Sequence, residues 1–258
     1  MSSAEGTPVW FELITPDQDA ARDFYTKVAG WTVAESAMPE HGGYRLASAP
    51  DGAQVAGLMK PPPGLTTFGW TLYFATADVD AAAGRVKELG GAVLFGPMDI
   101  PHVGRFATVA DPQGIVFNLL TGSSPEGSQA FAAAPGALGH GVWIELATPD
   151  PDGAFAFYGK MFGWEKAGAM PMGEAGDYAF IGKGADFRPG AVMSSTTTGA
   201  PARWNWYVHV ADIDAAIAAA KAHGGALLQG PDQIPGGDYS ANVADAQGCQ
   251  LGLVGPRK

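Results

Sequence analysis

The chain states one sequence twice. VWFELITPD at residues 9–17 returns as VWIELATPD at 142–150, and further matches follow in constant order. Phe24 and Tyr25 pair with Phe157 and Tyr158, Gly30-Trp31 with Gly163-Trp164, and Asp78 and Asp80 with Asp212 and Asp214. The DPQG of residues 111–114 pairs with the DAQG of 245–248. This period is far longer than the roughly 20–50 residues of solenoid and propeller repeats, so each half is expected to be a complete domain. In 258 residues this gives domains at 1–122 and 139–258, joined by a linker over 123–138 rich in Gly, Ser, Ala and Pro.

Composition narrows the function classes. A formal charge of −11 with no Lys/Arg cluster argues against a nucleic-acid partner. No apolar run approaches the ~20 residues of a membrane span, and the opening MSSAEGTP has no signal-peptide character, so a cytoplasmic protein is expected. One cysteine, Cys249, excludes an internal disulfide and reads as a buried strand residue.

Within each half the pattern gives β-α-β-β-β and then repeats it. In the first half, residues 9–14 form an apolar strand, Thr15-Pro16-Asp17 starts a helix, and Ala20, Ala21, Phe24 and Val28 share one helical face. Strands are expected near 32–35, 44–48 and 54–59. The second module has a strand at 71–76, Asp78 as a helix cap, Gly90-Gly91 as the stop, and strands near 92–95, 106–110 and 115–120. The second half follows suit, with Asp212, Gly224-Gly225 and a closing strand at 250–254.

Paired β-α-β-β-β modules, a helix ending in Phe-Tyr-x-x-x-x-Gly-Trp and a closing Asp-Pro-x-Gly turn resemble the vicinal oxygen chelate superfamily. It includes glyoxalase I, the bleomycin-resistance proteins and the extradiol dioxygenases. The resemblance covers both halves and implies an α+β fold of two tandem domains, each curling its strands into a cup. It also implies, in the enzymes, a divalent metal held by His or Glu on the first, fourth, fifth and eighth strands. Counting from the motifs, the first-strand place falls on Trp10 and Trp143, the fifth on Leu72 and Trp206, and the eighth on Asn118 and Gly252. The fourth strands, 54–59 and 190–193, contain no His, Asp or Glu. The quartet is absent, so neither a metal nor another cofactor is expected. His41, His102, His140 and His223 read as loop or element-end residues, and alternation turns His209 away from Trp206 toward the helices.

The cups instead look aromatic and acidic. Trp10 and Glu12 share a strand face, as do Trp143 and Glu145; Trp70, Leu72 and Phe74 share another, matched by Trp204 and Trp206. These residues and Asn118 are the candidate ligand-binding set. The tryptophans either wall a ligand slot or plug the cup. The two glutamates either contact ligand or bond to loop amides or to an arginine such as Arg45 or Arg105.

Two functional expectations follow. One is metal-independent binding of an aromatic or hydrophobic small molecule in one or both cups, as in bleomycin-resistance-type proteins. The other is a glyoxalase-like lyase or isomerase, or a dioxygenase-type enzyme, with Glu12 or Glu145 as base or with unconventional metal ligands. The duplication makes the chain an internal pseudo-dimer, compatible with a monomer or a homodimer.

Overall fold

The computed structural model describes residues 3–132 and 136–258. The first half runs β1 (Pro8–Ile14), α1 (Gln18–Val28), β2 (Thr32–Glu35), β3 (Arg45–Ser48), β4 (Gln54–Met59), β5 (Gly69–Ala75), α2 (Val79–Glu88), β6 (Ala92–Ile100), β7 (Gly104–Ala110) and β8 (Val116–Gly122). The second runs β9 (Gly141–Thr148), α3 (Pro151–Phe162), β10 (Glu165–Pro171), β11 (Asp177–Lys183), β12 (Phe187–Ser194), a short α4 (Ser195–Thr198), β13 (Arg203–His209), α5 (Ile213–Ala222), β14 (Ala226–Gln233), β15 (Tyr239–Ala244) and β16 (Gln250–Gly255). Each half is therefore two β-α-β-β-β modules, an α+β fold. The strand orders are β2-β3-β4-β1-β5-β8-β7-β6 and β10-β11-β12-β9-β13-β16-β15-β14. Among the described residues no helix is long and apolar enough to cross a membrane.

The repeated aspartates act locally. Asp17, Asp78, Asp150 and Asp212 each accept backbone N–H groups at a helix start. Asp111 Oδ1 accepts from the amides of Gln113 and Ile115 at 2.9 Å, and Asp245 Oδ1 from those of Gln247 and Cys249 at 2.9 Å. Gly114 and Gly248 close these turns at φ +82°, a conformation that favours glycine. Cys249 is buried as expected, but it lies one residue before β16 rather than in a strand.

Contacts divide the chain into two compact units, each joining the first module of one half to the second module of the other. One contains Trp10–Thr71, Gln129–Trp143 and Trp206–Lys258, with α1 against α5; the other contains Leu72–Ser128 and Ile144–Asn205, with α2 against α3. In the first, Tyr25 donates its hydroxyl to Asp245 Oδ2 at 3.0 Å and accepts the Trp70 indole N–H at 3.0 Å. The second repeats this with Tyr158, Asp111 Oδ2 (3.2 Å) and Trp204 (3.1 Å). Burial pushes both tyrosine pKa values up, which keeps the hydroxyls protonated as donors. The helix motif of each half thus ends on the turn motif of the other.

This arrangement overturns the expected phase of the fifth strands. Trp70 and Trp204 turn to the helix tyrosines, so alternation places Leu72, Phe74 and Trp206 on the same helix-facing side. Leu72, Phe74 and Trp206 are fully buried. Phe74 packs edge-on against Phe117 and Trp204. Trp206 stacks on Phe11 at 3.8 Å and 7°, in space that a side chain at Gly141 would fill. Leu72, Phe74, Trp204 and Trp206 are buried core residues, and Trp70 is half-buried on the same side. The opposite phase belongs to Tyr73 and Tyr207, and His209 shares the Tyr207 side, opposite Trp206 and not toward the helices.

Three of the other histidines have local partners. His41 bonds Ser36 and His223 bonds the Ala219 carbonyl. His140, 4 % exposed, sets Nδ1 against the Gln129 carbonyl and Nε2 against Asp51, which fixes the described end of the linker. Phe131 forms a backbone bridge to Gly141; residues 133–135 of the expected linker lie outside the described residues.

Candidate functional site

The side of β1 away from α1 carries Trp10 and Glu12, while Phe11 and Leu13 are fully buried on the other side. Glu12 is 9 % exposed. Tyr44 donates its hydroxyl to Glu12 Oε2 at 2.9 Å and accepts the Trp10 indole N–H at 2.8 Å. Arg45 instead reaches Asp19 and the Gln18 carbonyl, and Arg105 reaches Asp80 and Asp99. Register pairs Glu12 with Gly57 on β4, and a Cβ at Gly57 would overlap the Tyr44 hydroxyl. The missing side chain on β4 gives the tyrosine ring room to reach the glutamate.

Burial first, and then the Glu12 charge, push the Tyr44 pKa well up. The phenol keeps its proton and donates it, so the carboxylate is held in one orientation. The second half repeats the pair: Tyr178 donates to Glu145 Oε2 at 2.8 Å. Tyr44 and Tyr178 occupy matching places, each one residue N-terminal to the third strand or at its start. Neither was singled out from sequence, although their recurrence across the halves is a readable signal. Trp143 lies two residues before Glu145, on the same side of β9.

The remaining candidate, Asn118, is 2 % exposed. Its Oδ1 accepts the Thr108 hydroxyl at 2.7 Å and its Nδ2 donates to the Leu72 carbonyl at 3.3 Å. Tyr73 is its register partner on β5, so both belong to the side away from the core. In the second half Gly252 stands at the matching place, and the Tyr207 ring occupies the space a side chain there would need.

The donor set does not suit a metal ion. Trp10 offers an N–H and no lone pair, Gly252 offers no side chain, and the Asn118 oxygen is engaged by Thr108. Glu12 and Glu145 are each bound by a tyrosine hydroxyl. Among the described residues no group of three or more His, Cys, Asp or Glu side chains is placed to hold one ion.

The profile of the Glyoxalase/Bleomycin resistance protein/Dioxygenase superfamily matches residues 7–119 and 140–253. "Putative glyoxylase CFP32" of Mycobacterium tuberculosis is 33 % identical over 255 residues, covering 98 % of this chain and 95 % of that protein. "Anthracycline biosynthesis protein DauV" of Streptomyces sp. is 34 % identical over 267 residues, covering 97 % and 94 %. Among solved structures, the Mn(II)-bound glyoxalase from Novosphingobium aromaticivorans superposes with a TM-score of 0.66 at 18 % identity, covering 100 % of this chain and 83 % of that one. Homoprotocatechuate 2,3-dioxygenase from Brevibacterium fuscum, in complex with 3,4-dihydroxyphenylacetate, gives 0.68 at 16 %, covering 98 % and 81 %. At such identities these structures speak for the fold alone.

Proposed function

The chain belongs to the glyoxalase/bleomycin resistance protein/dioxygenase superfamily, and from that membership we propose that it binds an aromatic or hydrophobic small molecule without a metal. The observation that carries this reading is the Trp10–Tyr44–Glu12 chain of hydrogen bonds, with its counterpart Tyr178–Glu145. A metal enzyme of the superfamily needs carboxylates and imidazoles converging on one ion. Here the strand-borne carboxylate is committed to a phenol, and an indole stands beside it. An oriented carboxylate next to an aromatic surface suits a mostly apolar ligand whose hydroxyl or amine fixes its pose. The relative named for anthracycline biosynthesis supports the same ligand class, because an anthracycline is a flat polycyclic aromatic compound.

A second reading draws on the relative named as a glyoxylase. In it Glu12 or Glu145 accepts a proton from substrate, with its tyrosine as the hydrogen-bond donor that orients it. The two readings separate in one experiment. An uncharged aromatic compound such as N-phenyl-1-naphthylamine is titrated by its fluorescence, and 2-oxoaldehyde–thiol adducts are assayed for turnover in parallel. Saturable probe binding with no turnover supports the binding protein. Turnover lost in Glu12→Gln or Glu145→Gln with the fold intact supports the enzyme, and absence of probe binding sinks the first reading.

A further inference from the structure

The repeat supplies its own control for what one sheet side requires. On the side of β5–β8 away from the core, register pairs Phe95 with Thr108, Met98 with Phe106, Ala110 with Val116, and Thr108 with Asn118. The same pairs recur in the second half as Gln229 with Asn242, Asp232 with Ser240, Ala244 with Gln250, and Asn242 with Gly252. Backbone and register match, so the side chains can be compared one for one. Phe95, Met98, Phe106 and Val116 become Gln229, Asp232, Ser240 and Gln250.

In the second half these polar groups bond to one another. Gln250 donates to Asn242 Oδ1 at 2.9 Å, and Asn242 donates to the Tyr207 hydroxyl at 3.2 Å and to Gln229 Oε1 at 3.5 Å. In the first half Phe95, Met98 and Val116 on the same side are apolar and exposed, at 55 %, 41 % and 44 %, while Tyr73, Ala110 and Asn118 on it are buried. Phe106 links Phe95 and Tyr73 through tilted ring contacts at 5.9 and 6.2 Å. The fold does not require apolar groups here, because its own copy does without them. Contiguous exposed apolar surface that packing does not demand is the signature of a binding surface.

We infer that this side of β5–β8, and not its second-half counterpart, binds the ligand, and that the ligand is an uncharged flat aromatic molecule; the inference rests on the small-molecule reading above. The charged residues nearest in the chain, Asp99 and Arg105, alternate to the opposite side, where Arg105 pairs with Asp80 of α2. A wall of tilted aromatic rings recognises a ring system by stacking and burial. The formal charge of −11 disfavours an anionic ligand and a second copy of the chain alike.

The test titrates N-phenyl-1-naphthylamine into the full chain and into the double variant Phe95→Gln/Phe106→Ser, which installs the residues of the chain's own second copy. Met98→Asp/Val116→Gln on the same side serves if the first variant fails to fold. The expected result is one probe per chain, bound about tenfold or more weakly by the variant with an unchanged circular dichroism spectrum. Equal affinity in wild type and folded variant would overturn this placement and leave the small-molecule reading standing. No binding by wild type would sink both. A wild-type dimer that the variant dissociates, with no probe bound, would make the side a self-association surface and overturn the inference.

Discussion

Tyr44 donates its hydroxyl to Glu12 Oε2 across 2.9 Å while accepting the Trp10 indole N–H, and Tyr178 makes the same bond to Glu145. A glutamate on a strand of otherwise apolar character is costly to bury unless its charge is met. The phenol meets it without adding charge.

Replacing Tyr44 by Phe removes a hydrogen bond to a charged acceptor and another from an indole. Thermodynamic stability should fall by about 1–3 kcal/mol, read by urea denaturation. Tyr178→Phe removes the corresponding bond to Glu145 and should fall in the same range. A loss near zero at both sites would mean that the pairs contribute nothing.

Gly57→Ala tests the same geometry from the other strand. The added methyl overlaps the Tyr44 hydroxyl, so the ring must leave Glu12 or the strands must part. The expected cost is about 1–3 kcal/mol, with a change in tryptophan emission from the loss of the Trp10 bond. A variant as stable as wild type with unchanged emission would contradict it.

Much of the fold was legible because several independent signals agreed: the tandem repeat, apolar periodicity, Asp caps and Gly stops all specified the same elements. The strand over Gln54–Met59 and that over Thr32–Glu35 fall where turn residues placed them. The phase of β5 and β13 was not legible. A period of two separates Trp70, Leu72 and Phe74 from Thr71, Tyr73 and Ala75, and Trp204 and Trp206 from Asn205 and Tyr207, but it does not say which side meets the helices. The choice is made by Tyr25 and Tyr158, which lie far away in sequence and capture the indoles of Trp70 and Trp204. The glutamates were found because a charge stands out on an apolar strand. Their partners were not, because Tyr44 and Tyr178 sit beside loops where tyrosine is unremarked.

That phase makes Trp206 a core residue, with a distinct expectation. Trp206→Ala removes a ring stacked on Phe11 and should cost about 3–5 kcal/mol in stability. Probe affinity of the protein that remains folded should be close to wild type. Loss of binding without loss of stability would restore Trp206 to the ligand wall.

Asp111 should give a pH signature. Burial pushes its pKa above the ordinary 3.8, although backbone amides and Tyr158 pull it down. The folded state therefore holds this proton more tightly than the unfolded chain. The stabilising contribution is fully present below pH 3.8 and is lost as pH rises through the folded value. Wild type measured against Asp111→Asn, which cannot titrate, should lose relative stability over that rise. A relative gain with rising pH would reverse the sign and contradict the burial argument.

Metal independence is tested most directly by titrating N-phenyl-1-naphthylamine before and after exhaustive chelation, with manganese, iron and zinc counted in the same samples. The expected result is a Kd unchanged to within about twofold and far less than one metal per chain. Binding that disappears on chelation and returns with added Mn(II) or Fe(II) would contradict the proposed function.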